Sequence, residues 1–77
     1  MIDAYILIQT EVGKASQVTE QIRVIEGVVT VDPVTGPYDV IARAHGEDLD
    51  LLAKGTVMPM QELDGITRTL TCPVIQL

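Results

Sequence analysis

The residues best suited by type to bind a small molecule lie together in the segment Thr35-Gly36-Pro37-Tyr38-Asp39. Gly36 tolerates backbone conformations that other residues resist, so this loop can close tightly around a ligand. The Asp39 carboxylate suits an α-ammonium group, and backbone N–H groups and threonine hydroxyls suit an α-carboxylate. The same residues are typical, in the first place, of a hairpin turn capped by an aromatic side chain. From the residues alone, both interpretations stand.

Few other residues could carry chemistry. The chain has one His and one Cys, so a nucleophile–base pair would require His45 and Cys72 to meet. Cys72 is expected to be a small buried thiol in a strand, and His45 a solvated imidazole at a strand end. The acidic residues between positions 47 and 50 are typical of a solvated helix start, and no ligand spacing for a metal is present. The sequence therefore favours no catalytic site, metal or cofactor.

The composition restricts the partners of the chain. Its 77 residues are enough for one domain, residues 1–77, and five Lys and Arg against eleven Asp and Glu give a net charge of −6. No excess of basic residues is available to neutralise phosphates, which argues against nucleic acid and against an anionic membrane surface. The single cysteine excludes an intrachain disulfide, and no apolar run approaches the length of a membrane span. We expect a cytoplasmic protein with nothing before this domain.

Alternating and helical apolar patterns predict six elements. Strands are expected over residues 4–10, 28–34, 38–45 and 66–77, and helices over residues 14–26 and from 46 to about 57, where Pro59 should end or kink the second helix. The second helix should bury one stripe of side chains. Its members are Leu49, Leu52, Ala53, Thr56, Val57 and Met60.

The order β-α-β-β-α-β is that of the split βαβ, or ferredoxin-like, α+β fold. Right-handed crossovers then place both helices on one face of a four-stranded antiparallel sheet. In the strand order 4-1-3-2, the strands that contain Pro33 and Pro73 lie at the edges, where a missing N–H is tolerated.

The sheet face away from the helices is the most informative surface. We expect Tyr5, Leu7, Ile41 and Arg43 to lie there, together with a stripe of threonines, Thr67, Thr69 and Thr71. Because 47% of the residues in so small a domain are apolar, we expect two sheets to pair face to face in a dimer and bury this surface. A monomer with a half-polar open face is the alternative.

Four stretches of the chain resemble the effector-sensing (RAM) domain of the leucine-responsive/AsnC family of transcriptional regulators. They are Glu26-Gly27-Val28, Gly36-Pro37-Tyr38-Asp39-Val40, Val57-Met58-Pro59, and residues 63–71, Leu-Asp-Gly-Ile-Thr-Arg-Thr-Leu-Thr. The resemblance spans essentially the whole chain. It implies a ferredoxin-like domain that dimerises through its sheet, assembles into higher oligomers and binds amino acids near contacts between dimers.

By position, the resemblance assigns the ligand loop to Gly36, Tyr38 and Asp39, with Thr67, Thr69 and Thr71 as weaker candidates. Family members that regulate transcription directly carry a helix-turn-helix domain, which these 77 residues lack. We therefore expect a stand-alone sensing domain, without enzyme activity, that acts through a partner such as a full-length regulator of the family or a metabolic enzyme. Two alternatives are a dimeric ferredoxin-like enzyme, of the monooxygenase or haem-degrading type, and an assembly module that binds no ligand.

Overall fold

Four strands and two helices follow one another in the predicted order. The computed structural model describes all 77 residues. The strands pair antiparallel in the order β2-β3-β1-β4, which confirms the predicted sheet with β1 and β3 at its centre. They are β1 (Ile2–Thr10), β2 (Val28–Pro33), β3 (Val40–Gly46) and β4 (Ile66–Pro73). The last strand ends at Pro73, four residues before the predicted end.

The first helix, Ala15–Arg23, ends three residues earlier than predicted. The chain tightens there, since the Ile25 N–H donates to the Ile22 carbonyl, three residues back, rather than to the carbonyl four residues back as in an α-helix. This turn lets Ile25 pack against the core while Val24 stays exposed. Gly27 then takes a φ of +92°, a left-handed conformation that favours glycine, and the chain enters β2.

The second helix covers residues 49–61, through Pro59 and beyond the predicted end. It consists of an α-helical segment Leu49–Leu52, a π-helical turn Ala53–Val57 and an α-helical segment Met58–Gln61. Asp48 caps its start, where the carboxylate accepts a hydrogen bond of 2.8 Å from the Leu51 N–H. The wide turn precedes Pro59, which supplies no N–H to the ladder, and so the helix continues instead of ending.

The π-helical turn also explains an error in the predicted buried stripe. An extra residue in one turn rotates the residues before it relative to those after it. Leu49, predicted to be buried, is 51% exposed, whereas Leu52, Thr56, Val57 and Met60 are buried.

The core lies between the two helices and one face of the sheet. Twelve buried apolar side chains form one cluster, and they come from the helices, β2 and alternate positions of the central strands. Its strand members on β1 and β3 are Ala4, Ile6, Ile8, Val40, Ala42 and Ala44. These are the positions that the alternation predicts to face the helices. The other face of the sheet is left without a covering layer.

Candidate functional site

The open face of the sheet carries an apolar row across three strands. Leu7 of β1 is paired with Ile41 of β3 on one side and with Leu70 of β4 on the other. Directly opposed residues of an antiparallel pair lie on the same face, so the three side chains form one continuous stripe. Leu70 is 38% exposed. An apolar stripe in the middle of an uncovered sheet face is typical of a surface that another molecule covers.

Polar rows flank the apolar row. On one side, Gln9 is paired with Arg68, and on the other, Tyr5 lies between Arg43 and Cys72. Arg43 forms an ion pair of 3.3 Å with Asp3, and its guanidinium donates a hydrogen bond of 3.2 Å to the Tyr5 hydroxyl. The guanidinium carbon also lies 5.4 Å from the centre of the Tyr5 ring, within cation–π range. Tyr5, Leu7, Ile41 and Arg43 thus all lie on the open face, as predicted.

The predicted threonine stripe is not on this face. Thr69 is opposite Ile8 and Thr71 is opposite Ile6, and both isoleucines face the helices. Thr67 falls at a β-bulge, where the pairing shifts between Gln9 and Thr10. Placing Thr69 and Thr71 on the open face was therefore wrong, since the register gives that face to Arg68, Leu70 and Cys72.

Two further consequences follow from this register. Cys72, predicted to be buried, is exposed. Arg68 has no ion-pair partner within the chain, although its row crosses the open face. Sequence reasoning missed Arg68 because it assigned the alternate positions of β4 to the threonines.

Four hydrogen bonds around Asp39 and Pro37 hold the Gly36–Asp39 loop in place, three of them to β1. One Asp39 carboxylate oxygen accepts a bond of 2.8 Å from the Thr10 N–H. The Asp39 N–H donates to the Ile8 carbonyl, and its carbonyl accepts from the Val34 N–H. The Gln9 amide donates to the Pro37 carbonyl at 3.1 Å. Gly36, with a φ of +145°, makes the turn that brings Tyr38 and Asp39 back to the sheet.

This loop encloses no cavity within one chain. A cavity of about 240 Å³ lies instead beside β4, lined by Gln61, Ile66, Thr67, Arg68 and Thr69. There the Gln61 amide donates a hydrogen bond of 2.8 Å to the Thr69 hydroxyl. The structure thus brings Gly36, Tyr38 and Asp39 together and, separately, Thr67 and Thr69, with β1 between the two groups. Gln61 was missed because the helix was expected to end before it.

Other kinds of site find no support in the side-chain arrangement. No group of three or more His, Cys, Asp and Glu residues lies close enough together to hold a metal ion. No helix is long and apolar enough to cross a membrane.

The strand order and the one-sided helix layer define a ferredoxin-like α+β domain with an uncovered sheet face. The family model of the Lrp/AsnC ligand binding domain matches residues 3–77, and the chain belongs to this family. The family assignment expected from Gly36-Pro37-Tyr38-Asp39 and residues 63–71 is thereby confirmed. The family is one of regulatory ligand-binding domains.

Solved structures share the fold over the full chain. The protein TTHA0845 of Thermus thermophilus has a TM-score of 0.91 and 30% identity, covering 100% of this chain and 96% of its own. Escherichia coli AsnC has a TM-score of 0.82 and 18% identity, covering 99% of this chain and 52% of its own. The Neisseria meningitidis regulator NMB0573, solved with L-Met, has a TM-score of 0.81 and 16% identity, covering 97% of this chain and 50% of its own. Comparison with curated proteins found no match.

Proposed function

We propose that this domain binds a small effector, an amino acid, at the Gly36–Asp39 loop and passes the binding event to a partner through its assembly. The proposal rests on the hydrogen bonding of the Asp39 carboxylate. One of its oxygens is held by the Thr10 N–H at 2.8 Å, while the other has no hydrogen-bond partner within the chain. A carboxylate held in place with a free oxygen is preorganised to accept from an ammonium group.

We place the site between two copies of the chain. The ligand loop connects β2 and β3, whereas Thr67 and Thr69 lie on β4, at the opposite edge of the sheet. In this proposal, the ligand lies between the loop of one copy and the β4 edge of another and contacts both groups. Thr71 is a weaker candidate because, unlike Thr67 and Thr69, it does not line the cavity beside β4.

Assembly begins, in this proposal, with a dimer formed through the open face. The apolar row of Leu7, Ile41 and Leu70 forms the centre of the interface. The polar row that contains Tyr5 and Arg43 forms its rim. This arrangement, apolar at the centre and polar around it, is typical of stable interfaces. An effector bound between such dimers would favour one oligomeric arrangement over another. A full-length Lrp/AsnC-type regulator in mixed oligomers is the partner that family membership favours.

L-Met in the related NMB0573 complex makes amino acids the first ligands to test. Isothermal titration of the full chain with each of the twenty amino acids should find a saturable ligand at micromolar to millimolar concentration. Asp39→Asn keeps an oxygen for the Thr10 N–H but removes the charge, and it should weaken binding about tenfold or more. Asp50→Asn, which removes the same charge from an exposed position on the second helix, is the matched control. No binding to any amino acid, or equal binding in Asp39→Asn and Asp50→Asn, would contradict the proposal.

A further inference from the structure

The larger of two cavities lies at the other end of β3 from Asp39. It measures about 340 Å³, at the lower end of the range for small-molecule sites. Three segments line it: Glu26-Gly27 after the first helix, His45-Gly46-Glu47 at the end of β3, and the second helix from Leu51 to Thr56. At roughly 3.3 Å per strand residue, β3 separates this cleft from the ligand loop by roughly 20 Å. It is thus independent of the proposed effector site.

The walls of this cleft, which we call the β3-end cleft, are joined by hydrogen bonds. The Thr56 hydroxyl donates to the Glu26 carbonyl at 2.7 Å, and the His45 N–H donates to the Gly27 carbonyl at 2.9 Å. Gly46 packs so closely on Leu52 that a Cβ on it would lie 3.2 Å from the leucine Cβ. These contacts fix the three segments relative to one another, so a ligand would enter a preformed cleft.

Gly55 keeps the cleft open. It lies in the π-helical turn, has no positive φ, and a Cβ placed on it would meet nothing within 4 Å. Glycine inside a helix costs about 1 kcal/mol relative to alanine, and here no close packing requires it. π-Helical turns occur frequently at functional sites. A side chain at Gly55 would extend into the space that the cleft now offers.

The lining of the cleft combines two acidic side chains with one exposed apolar side chain. Glu26 and Glu47 are both exposed, neither is in an ion pair, and no Lys or Arg lines the cleft. Leu51, which is 51% exposed, supplies its apolar part. The net charge of −6 adds to the negative potential that a cation would meet there. A ligand that matches both features has a positively charged head and a short aliphatic chain.

We infer that the β3-end cleft binds an aliphatic primary ammonium group, between the Glu26 and Glu47 carboxylates, with its methylene chain against Leu51. A free alkylamine and the side chain of a lysine share this chemistry. The cleft volume favours the free amine, which can enter whole.

The experiment follows the backbone amide resonances of the full chain during titration with n-butylammonium chloride. Saturable shifts centred on Gly27, Gly46 and Gly55 are expected, and equal concentrations of sodium butyrate should produce none. The double variant Glu26→Gln/Glu47→Gln should bind about fivefold more weakly, and Gly55→Leu, which fills the cleft, should not bind. The matched control Glu11→Gln/Glu62→Gln removes two exposed, unpaired carboxylates elsewhere and should change affinity less than about twofold.

A second titration, with Nα-acetyl-lysine methylamide, separates the two sources of the ammonium group. Weaker binding than that of n-butylammonium supports a free amine, whereas tighter binding overturns that assignment in favour of a protein lysine. The whole inference is overturned by shifts that do not saturate, by equal shifts with butyrate, or by equal losses in the cleft and control double variants.

Discussion

The Asp39 carboxylate accepts a hydrogen bond of 2.8 Å from the Thr10 backbone N–H, 29 residues away in the chain. Thr10 lies at the end of β1, where the pairing with β4 shifts, and Asp39 lies just before β3. One side chain thus connects the candidate ligand loop to the irregular end of a central strand. The contact gives Asp39 a structural role in addition to the binding role proposed for it, and different substitutions separate the two.

Asp39→Ala is expected to lower the free energy of unfolding by about 1 kcal/mol, because the half-buried Thr10 N–H loses its acceptor. Asp39→Asn retains an acceptor oxygen and should stay within about 0.5 kcal/mol of the unsubstituted chain. Urea unfolding at one fixed protein concentration measures both, since an oligomer's stability depends on concentration. Equal losses in the two variants would show that the negative charge, and not the hydrogen bond, stabilises the loop.

The central strands were predictable, and the edge strand was not. In β1 and β3 one alternate set, including Ile6, Ile8 and Val40, is consistently apolar, so its register against the helices is determined by the pattern. In β4 both sets are mixed: Arg68 interrupts one and the threonines make up the other. The β-bulge at Thr67 then shifts the pairing of β4 with β1 by one residue, which changes the face on which the following side chains lie. The local sequence contains no signal for this shift.

The candidate site, like the sheet, was predictable only in part. Gly36 and Asp39 could be placed at a hairpin because glycine and proline mark the turn. The Asp39 bond to Thr10 depends on a tertiary approach of β1 and β3 that no local pattern shows. The role of Gln61 depends on the helix continuing through Pro59, against the usual effect of proline.

Leu7 is the position where the open face should be most sensitive to charge. Leu7→Asp places a carboxylate in the apolar row beside Ile41 and Leu70, and its burial between two sheets should weaken dimerisation by about 2 kcal/mol or more, roughly thirtyfold. Sedimentation equilibrium over a range of concentrations measures the change. Val24→Asp, at an 83% exposed position after the first helix, is the matched control and should leave association unchanged. A dimer that withstands Leu7→Asp would place the interface on another surface.

Gly27 should tolerate no side chain. A Cβ there would lie 2.5 Å from the Thr56 hydroxyl oxygen and 3.1 Å from the His45 carbonyl, at a φ of +92°. We expect Gly27→Ala to destabilise the domain by roughly 2–4 kcal/mol, from steric overlap and backbone strain together. Gly36→Ala, at a φ of +145° with nothing within 4 Å, isolates the backbone effect and should cost about 1 kcal/mol. Thermal unfolding of the two variants compares them, and equal losses would mean that the close approach of Thr56 is unimportant.

A site shared between subunits predicts complementation between two defective variants. Asp39→Asn impairs the loop, and Thr69→Val removes the hydroxyl beside β4 that now accepts from Gln61. Each variant alone should bind effector poorly. When equal amounts are unfolded together and refolded, random assembly pairs an intact loop with an intact β4 edge in about a quarter of the sites.

The number of high-affinity sites in the mixture, measured by calorimetry, decides where the ligand lies. About one site per four chains is expected if loop and edge belong to different copies. A site within one chain would give no recovery, because every chain in the mixture carries one substitution. Mixing the two folded variants without unfolding is the control, and the sites should then appear only as fast as subunits exchange.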